Sequence, residues 1–304
     1  FKINFLLLDG KNSMVGHWGI IPHNLVIENL IVKAGKIENT MISSDYRGKG
    51  LYKPFEKYCS NKSKSKKLHL WSISSIKAIK LRVKLGYFIV GNFRVYQQCL
   101  INSNKFKFKS LIIISKFFLK EMYKPQIAVR NLLKRIFRFH NIEREYIINQ
   151  IEFKKLYRQF EKIQSYEVNT MERSPEYMRW RFQQNPNVDF KYYQSKDSVF
   201  FAIVSNINNT VTIHDMGCVK NGLFYMPNRS YLKALEYCMS KSGGVKLVIK
   251  SLHGSKLANF LVDNGYFISK QSLLSKSGTM VSKGFKIINP DNWYFTNIFS
   301  EGIK

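Results

Sequence analysis

Acidic side chains are scarce in this chain: 20 Asp and Glu stand against 49 Lys and Arg, a formal net charge of +29. Such a field favours an anionic partner, whether nucleotide, nucleic acid, acidic glycan or anionic membrane surface. Of the 49 cations 37 are Lys, and Asn and Ile are abundant beside them, as AT-rich coding sequence produces. The excess therefore divides between compositional drift and a binding face. Cysteine is scarce too. Cys59, Cys99, Cys218 and Cys238 are widely spaced, with no CxxC pair and no His at metal-ligand spacing, which excludes a disulfide framework and a zinc site. They read as reduced core residues of a cytoplasmic protein, and no metal is expected. No apolar run approaches the ~20 residues that a membrane span needs, and no secretory leader opens the chain. The first residue is Phe rather than Met, which leaves room for elements before it.

What the chain does have is 304 residues with 45% apolar content, enough to fill a core, and an internal repeat. Residues 46–89 set against 225–268, an offset of 179 without a gap, share 15 of 44 positions, among them Tyr52/Tyr231, Cys59/Cys238, Ser72/Ser251, Gly86/Gly265 and Tyr87/Tyr266. A repeat of this length points to two copies of one domain. Each copy reads as turn, helix, strand, helix, strand. In the first, LYKPFEKYC is the helix, SNKSKSKK a surface loop, LHLWSI a strand, SSIKAIKLRVKLG a helix ending at Gly86, and YFIVGNFRVY a strand. In the second, SYLKALEYCMSKSGG, KLVIKSL, HGSKLANFLVDNG and YFISKQSLL fill the same slots. Upstream, FKINFLLLD and SMVGHWGII form a hairpin, and VIENLIVKAG and KIENTMISS are two further strands. The fold class is α/β (α+β), with mixed, mostly antiparallel sheets flanked by helices. The expected organisation is a first domain over 1–100, a basic helical linker over 101–165 and a second domain over 166–304. Residues 101–145, apolar at helical spacing with cations between, suit either a packed bridge or peripheral contact with an anionic membrane.

The stretch SDYRGKGLYKPF, Ser44 to Phe55, sits where a strand gives way to a helix. The first N–H groups of a helix lack partners and carry the positive end of its dipole, so a turn at this place is a ready anion pocket. Gly48 and Gly50 let the backbone approach an anion, and Arg47 and Lys49 add charge. The plain alternative is a surface turn with incidental cations.

SDYRGKGLY after a strand, followed by SSIKAIKLRVKLGYFIV some 30 residues on, resembles the GNAT superfamily of acyl-CoA-dependent N-acyltransferases. Arg47, Gly50 and Tyr52 stand at the places of its Arg/Gln-x-x-Gly-x-Gly/Ala loop, the third departing from Gly/Ala. Ser75, Ala78, Arg82, Gly86 and Tyr87 stand at those of a later Asn-x-x-Ala-x-x-x-Tyr-x-x-x-Gly-Phe motif. A segment around Arg173 to Phe182 is similar to tandem GNAT-like proteins of surface-polysaccharide gene clusters. The resemblance implies two GNAT-like domains, and direct transfer of an acyl group, usually acetyl, from acetyl-CoA or another acyl-CoA to a small amine such as an amino sugar. It places the donor on Met41, Ile42, Ser43, Arg47, Gly48, Lys49, Gly50, Leu51, Tyr52 and Ser75. DNA is not expected as a partner.

The same resemblance locates the acid and base. Where relatives keep a Tyr as proton donor this chain has Arg82, which holds its proton and serves only by charge; the other reading of Arg82 is a solvated helix cation. Glu38 is the candidate base, with Glu28, His17 and His23 as rivals. In the second copy the loop is replaced by Met226, Pro227, Asn228 and Arg229, without glycine and with a Pro that donates no N–H. That copy is therefore expected not to hold coenzyme A. His214 and Asp215 are a further acceptor-side candidate, with an ordinary strand-end pair as the plain alternative; the closing segment Asn292 to Thr296 is similar to a Trp-containing one of tandem relatives but lacks the acidic residues expected after it. Two other functions fit the charge: a Fem-type transferase taking its group from aminoacyl-tRNA, and a non-catalytic binding or membrane-surface protein.

Overall fold

A computed structural model describes residues 3–100, 147–269, 279–283 and 290–300. The chain falls into two compact units, one of residues 1–93, 170–172 and 276–289, the other of 94–169, 173–275 and 290–304. In chain order the early elements are β1 (Ile3–Leu8), β2 (Met14–Ile27), β3 (Leu30–Ile42), α1 (Tyr52–Ser65), β4 (His69–Ser74), α2 (Ile76–Lys84) and β5 (Phe88–Cys99). Next come β6 (Ile148–Ile151), α3 (Phe153–Phe160), β7 (Ser165–Tyr166), β8 (Thr170–Met171), α4 (Pro175–Met178), β9 (Lys191–Ser195), β10 (Phe200–Ile207) and β11 (Thr210–Lys220). The chain continues with β12 (Leu223–Tyr225), α5 (Arg229–Lys241), β13 (Lys246–Leu252), α6 (Lys256–Asp263), β14 (Phe267–Ile268), β15 (Thr279–Lys283) and α7 (Asn297–Ser300). This is the mixed, mostly antiparallel α/β architecture expected. Among the described residues no helix is long and apolar enough to cross a membrane.

In the first unit the sheet runs β1-β2-β3-β4-β15-β5. β1, β2 and β3 form an antiparallel meander, and β4 joins β3 in parallel over three pairs, Ala34–His69, Gly35–Leu70 and Lys36–Trp71. Beyond Lys36 and Trp71 the two strands part. β3 continues along β2 to Ile42, while β4 continues along β15 to Ser74. β15 is antiparallel to both β4 and β5, so a segment from late in the chain supplies an interior strand. Helices α1 and α2 cover one face through a core of Trp18, Ile20, Ile37, Ile42, Phe55, Cys59, Leu70, Ile79, Tyr87 and Val281.

Two local expectations are corrected. The hydrophilic SNKSKSKK is the second half of α1 rather than a loop. Ser60, Ser63 and Ser65 donate their hydroxyls to the carbonyls of Lys57, Cys59 and Lys62, and Ser63 is buried, so the polar side chains are satisfied inside the helix. The runs VIENLIVKAG and KIENTMISS are not two strands. Glu28 (φ 50°) and Asn29 (φ 65°) make a two-residue turn with both residues left-handed, as a twisted hairpin requires, and Leu30 to Ile42 is one strand. Gly35 sits inside it because a Cβ there would meet Ile20 Cγ2 at 2.4 Å. The basic amphipathic reading of 101–145 and the strand beyond Ser269 lie outside the described residues.

The second unit repeats the order strand, helix, strand, helix, strand with β11, α5, β13, α6 and β14. β11 and β13 are parallel over four pairs, ending at Ile213–Ile249. β14 pairs with Tyr96 and Gln97 of β5. α2 and α6 end alike, at Gly86 (φ 83°) and Gly265 (φ 84°), with Tyr87 N–H on the Arg82 carbonyl and Tyr266 N–H on the Leu261 carbonyl. This left-handed cap explains why the repeat keeps these two glycines.

His23, a rival base, belongs to the packing of the first unit. Its Nδ1 donates to the Ile21 carbonyl at 3.0 Å and its Nε2 accepts the Trp71 indole N–H at 2.9 Å, which fixes the neutral tautomer. Burial above all, with the Lys36 charge adding to it against the Ile21 bond, lowers its pKa to about 4.

Two measurements follow from this architecture. Val281, fully buried on β15 between β4 and β5, will not tolerate proline: Val281→Pro removes a ladder bond from an interior strand, seen as accelerated proteolysis within residues 1–93. Because His23 stays neutral when folded but protonates near pH 6.5 when unfolded, stability is full above pH 6.5 and falls by up to about 3 kcal/mol as pH drops toward 4. Urea unfolding across that window, compared with His23→Gln, which lacks the titrating group, measures it.

Candidate active site

Where β3 ends, Ser43 N–H bonds the Val15 carbonyl at 2.9 Å and a single 3-10 turn, Ser44–Tyr46, leads into the glycine loop. Tyr46 is moored by its hydroxyl to Asp9 at 2.8 Å, and Arg47 folds back so that its Nε donates to the Ile42 carbonyl at 2.9 Å. Gly48 (φ 78°) and Gly50 (φ 74°) are both left-handed, and nothing lies within 4 Å of a Cβ placed on either. Backbone conformation, rather than crowding within the chain, is what selects glycine here. α1 then begins at Tyr52 without a side-chain cap. Among the described residues the N–H groups of Gly48, Lys49, Gly50, Leu51, Tyr52 and Lys53 meet no acceptor.

These groups edge a cleft of about 590 Å³ bounded by Thr40, Met41 and Ile42 of β3, the loop from Tyr46 to Gly50, the first turn of α1 and Leu81 of α2. Of the residues expected to hold a donor, Met41, Ile42, Arg47, Gly48, Gly50, Leu51 and Tyr52 line it. Ser43 and Lys49 do not, and the Lys49 ammonium lies 4.8 Å from the centre of the Tyr46 ring. Ser75 is exposed at the entry of α2 and is also outside the lining. Thr40, Tyr46, Lys53 and Leu81 were not foreseen. Tyr46 and Lys53 flank the loop in sequence, but Thr40 reaches the cleft through a register shift between β2 and β3 near Asn39 (φ 52°), which no sequence period reveals.

That irregularity also accounts for His17. Its Nδ1 donates to the Asn39 carbonyl at 2.7 Å and its Nε2 faces Asn4 Oδ1 at 3.1 Å, so the imidazole braces the strand. Glu28 is in the hairpin turn at the other end of β3. Glu38, on β3, is ion-paired with Lys36, which itself lies 5.6 Å from the Trp71 ring centre.

Arg82 is not a solvated helix cation; it is buried at 4% exposure. Its Nε donates to Glu56 Oε1 at 3.2 Å, Nη1 to Ser72 and to Ser74 (2.6 Å), and Nη2 to Thr40 at 3.3 Å. Ser72 and Ser74 are on β4 and Thr40 on β3, so the guanidinium bridges the gap where the two parallel strands part. Burial opposes its charge, but Glu56 more than offsets that, helped by Tyr52 and Tyr87, and the net shift is upward. Glu56, fully buried on α1, also accepts from the Trp18 indole at 2.9 Å and the Tyr87 hydroxyl at 3.0 Å. Tyr87 and the cleft-lining Tyr52 are both held protonated, by burial first and the Glu56 charge after it. Glu56 was missed in the sequence because its partners lie 26 to 38 residues away; the available sign was a carboxylate beside Phe55 on the apolar side of an amphipathic helix.

The second unit treats the same features differently. Asn228 caps α5 by accepting the Tyr231 N–H at 3.1 Å. Past Ile213 and Ile249, residues Tyr294 to Asn297 bond to both strands: Tyr294 to the Met216 carbonyl, Thr296 to Asp215, Ser251 to the Phe295 carbonyl, and Asn297 to Lys250 N–H. Asp215 is fully buried, accepting two bonds from Arg173 at 2.8 and 2.9 Å, and His214 is buried against Ser205 at 2.8 Å.

No family model and no curated protein matches the sequence. Among solved structures, the chain is similar to a GCN5-related N-acetyltransferase from Kribbella flavida (10% identity, 92% of this chain and 60% of that one, TM-score 0.57) and one from Anabaena variabilis (11%, 92% and 62%, 0.57). A third is a GCN5-related glucosamine N-acetyltransferase region in a fungal multi-domain GH3 beta-N-acetylglucosaminidase (12%, 93% and 33%, 0.50). The chain spans about 60% of the length of the first two. At these identities the likeness is one of architecture, and on that ground the chain has the fold of the GCN5-related N-acetyltransferases.

Proposed function

We propose that this chain is an acyl-CoA-dependent N-acyltransferase whose first unit holds the donor in the cleft beside Gly48 to Lys53. The observation that carries the reading is the row of backbone N–H groups at the uncapped start of α1 that meet no acceptor among the described residues. Such groups, with the positive end of a helix dipole behind them, suit a pyrophosphate, and Arg47 and Lys53 stand at the same rim. The exposed Met41 and its neighbours on β3 suit the pantetheine arm, which would run toward the parting of β3 and β4. There an amine meets the thioester, and holding the two together supplies much of the rate. Glu38, on β3 short of that point, is the proposed proton acceptor. A small amine is the acceptor class, with amino sugars first to try, since one structurally similar protein is described as a glucosamine N-acetyltransferase.

The second unit has a proline and a capping Asn228 where the first has its open loop, and residues Tyr294 to Asn297 along its parted strands. We assign it no donor, which makes the arrangement a tandem of one working and one degenerate domain. Calorimetry with acetyl-CoA tests the reading. The wild type is expected to bind one equivalent, and Gly50→Glu, which puts a carboxylate in the cradle and a side chain at a left-handed φ, to bind at least about tenfold more weakly. No binding by the wild type, or equal binding by both, sinks it.

A further inference from the structure

The repeat supplies a comparison for the Glu56–Arg82 pair. At the offset of 179 residues Glu56 corresponds to Leu235 and Arg82 to Leu261, both fully buried, while Ser72 and Tyr87 keep identical counterparts in Ser251 and Tyr266. The two charges are thus exchanged together for leucines. A buried ion pair is often replaced by apolar side chains of similar volume without loss of stability. Packing therefore does not demand these charges. The unit in which Arg82 spans parted strands beside a cleft has them, and the unit whose parted strands take up Tyr294 to Asn297 does not.

The guanidinium is also oriented. Glu56 sits at its Nε edge, whereas Nη1 and Nη2 point to Ser72, Ser74 and Thr40 at the strand gap. Glu56 divides its acceptor capacity among Arg82, Trp18 and Tyr87. At the gap the nearer, positive end of the pair dominates. Thr40 lines the cleft and accepts from Nη2, which leaves its own hydroxyl proton to be donated.

We propose that Arg82, aimed by Glu56 as a positioning residue, and Thr40 form a seat for the thiolate released from the donor, so that transfer proceeds without a general acid; this rests on the coenzyme A reading above. The amine nitrogen bonds to the thioester carbonyl carbon, the C–S bond breaks, and its electron pair leaves on sulfur. The surplus proton of the amine passes to Glu38 or water. The thiolate is held by the Thr40 hydroxyl and the guanidinium charge, and takes a proton from solvent on release.

Titration calorimetry of the full chain with coenzyme A and with acetyl-CoA, over the range in which a thiol ionises, about pH 6 to 9, tests this without a known acceptor. Only coenzyme A carries a titrating thiol, so the ratio of the two affinities isolates the sulfur. In the wild type the preference for coenzyme A is expected to grow with pH, approaching about tenfold per unit. In Glu56→Leu/Arg82→Leu, which copies the second unit, it is expected to stay flat. Glu56→Gln/Arg82→Gln, which keeps polar atoms and removes both charges, gives the same comparison if the leucine variant does not fold. Parallel rises in the wild type and the charge-free variant, or a flat ratio in a wild type that binds both ligands, overturn the seat alone. Binding of neither ligand overturns it together with the coenzyme A reading.

Discussion

One buried carboxylate orients the polar groups of the first unit. Glu56 on α1 takes the Trp18 indole from β2, the Arg82 guanidinium from α2 and the Tyr87 hydroxyl at the start of the last helix-to-strand turn. Three elements distant in sequence thus converge on two oxygen atoms that water does not reach. Removing one partner from such a pair leaves an uncompensated buried charge, at a cost of about 3–5 kcal/mol. The same tie reaches the wall of the cleft, because Arg82 extends from Glu56 across to the cleft-lining Thr40 on β3 and to Ser72 and Ser74 on β4.

Comparison of the two units separates what the fold needs from what it can do without. Gly86 and Gly265 occupy the same left-handed helix cap and are retained in both copies. Gly48 and Gly50 are left-handed as well, yet the second copy makes its strand-to-helix passage through Pro227 and Asn228 with a capped helix. A cap satisfies one of the unpaired N–H groups at the helix start, here that of Tyr231, and is worth about 1 kcal/mol. Leaving α1 uncapped forgoes that stabilisation, which makes sense where an anion supplies the missing partner.

The sequence carried the architecture well wherever signals were local. Apolar periodicity placed α2, β4 and β13, and the ungapped repeat exposed the shared helix-strand-helix order. It failed where polar residues find partners inside an element, as Ser63 does in α1, and where a hairpin turn uses Glu28 and Asn29 rather than glycine. At the candidate site, the turn from Arg47 to Tyr52 between strand and helix was legible because its residues are contiguous. Glu56, Thr40 and the burial of Arg82 were not, since each depends on a partner brought in by tertiary packing or by the irregular register near Asn39.

The position of β15 bears on how the protein is made. Its residues Thr279 to Lys283 lie between β4 and β5 in the first unit, nearly two hundred residues after Phe93. During synthesis the first unit therefore emerges with a gap in its sheet and two unpaired interior edges. At ~5–20 residues per second that gap stays open for roughly ten to forty seconds. Over that interval the strand edges that β15 will cover are of the kind that pair with other chains, and the sheet of the first unit is completed only after most of the second unit has been made.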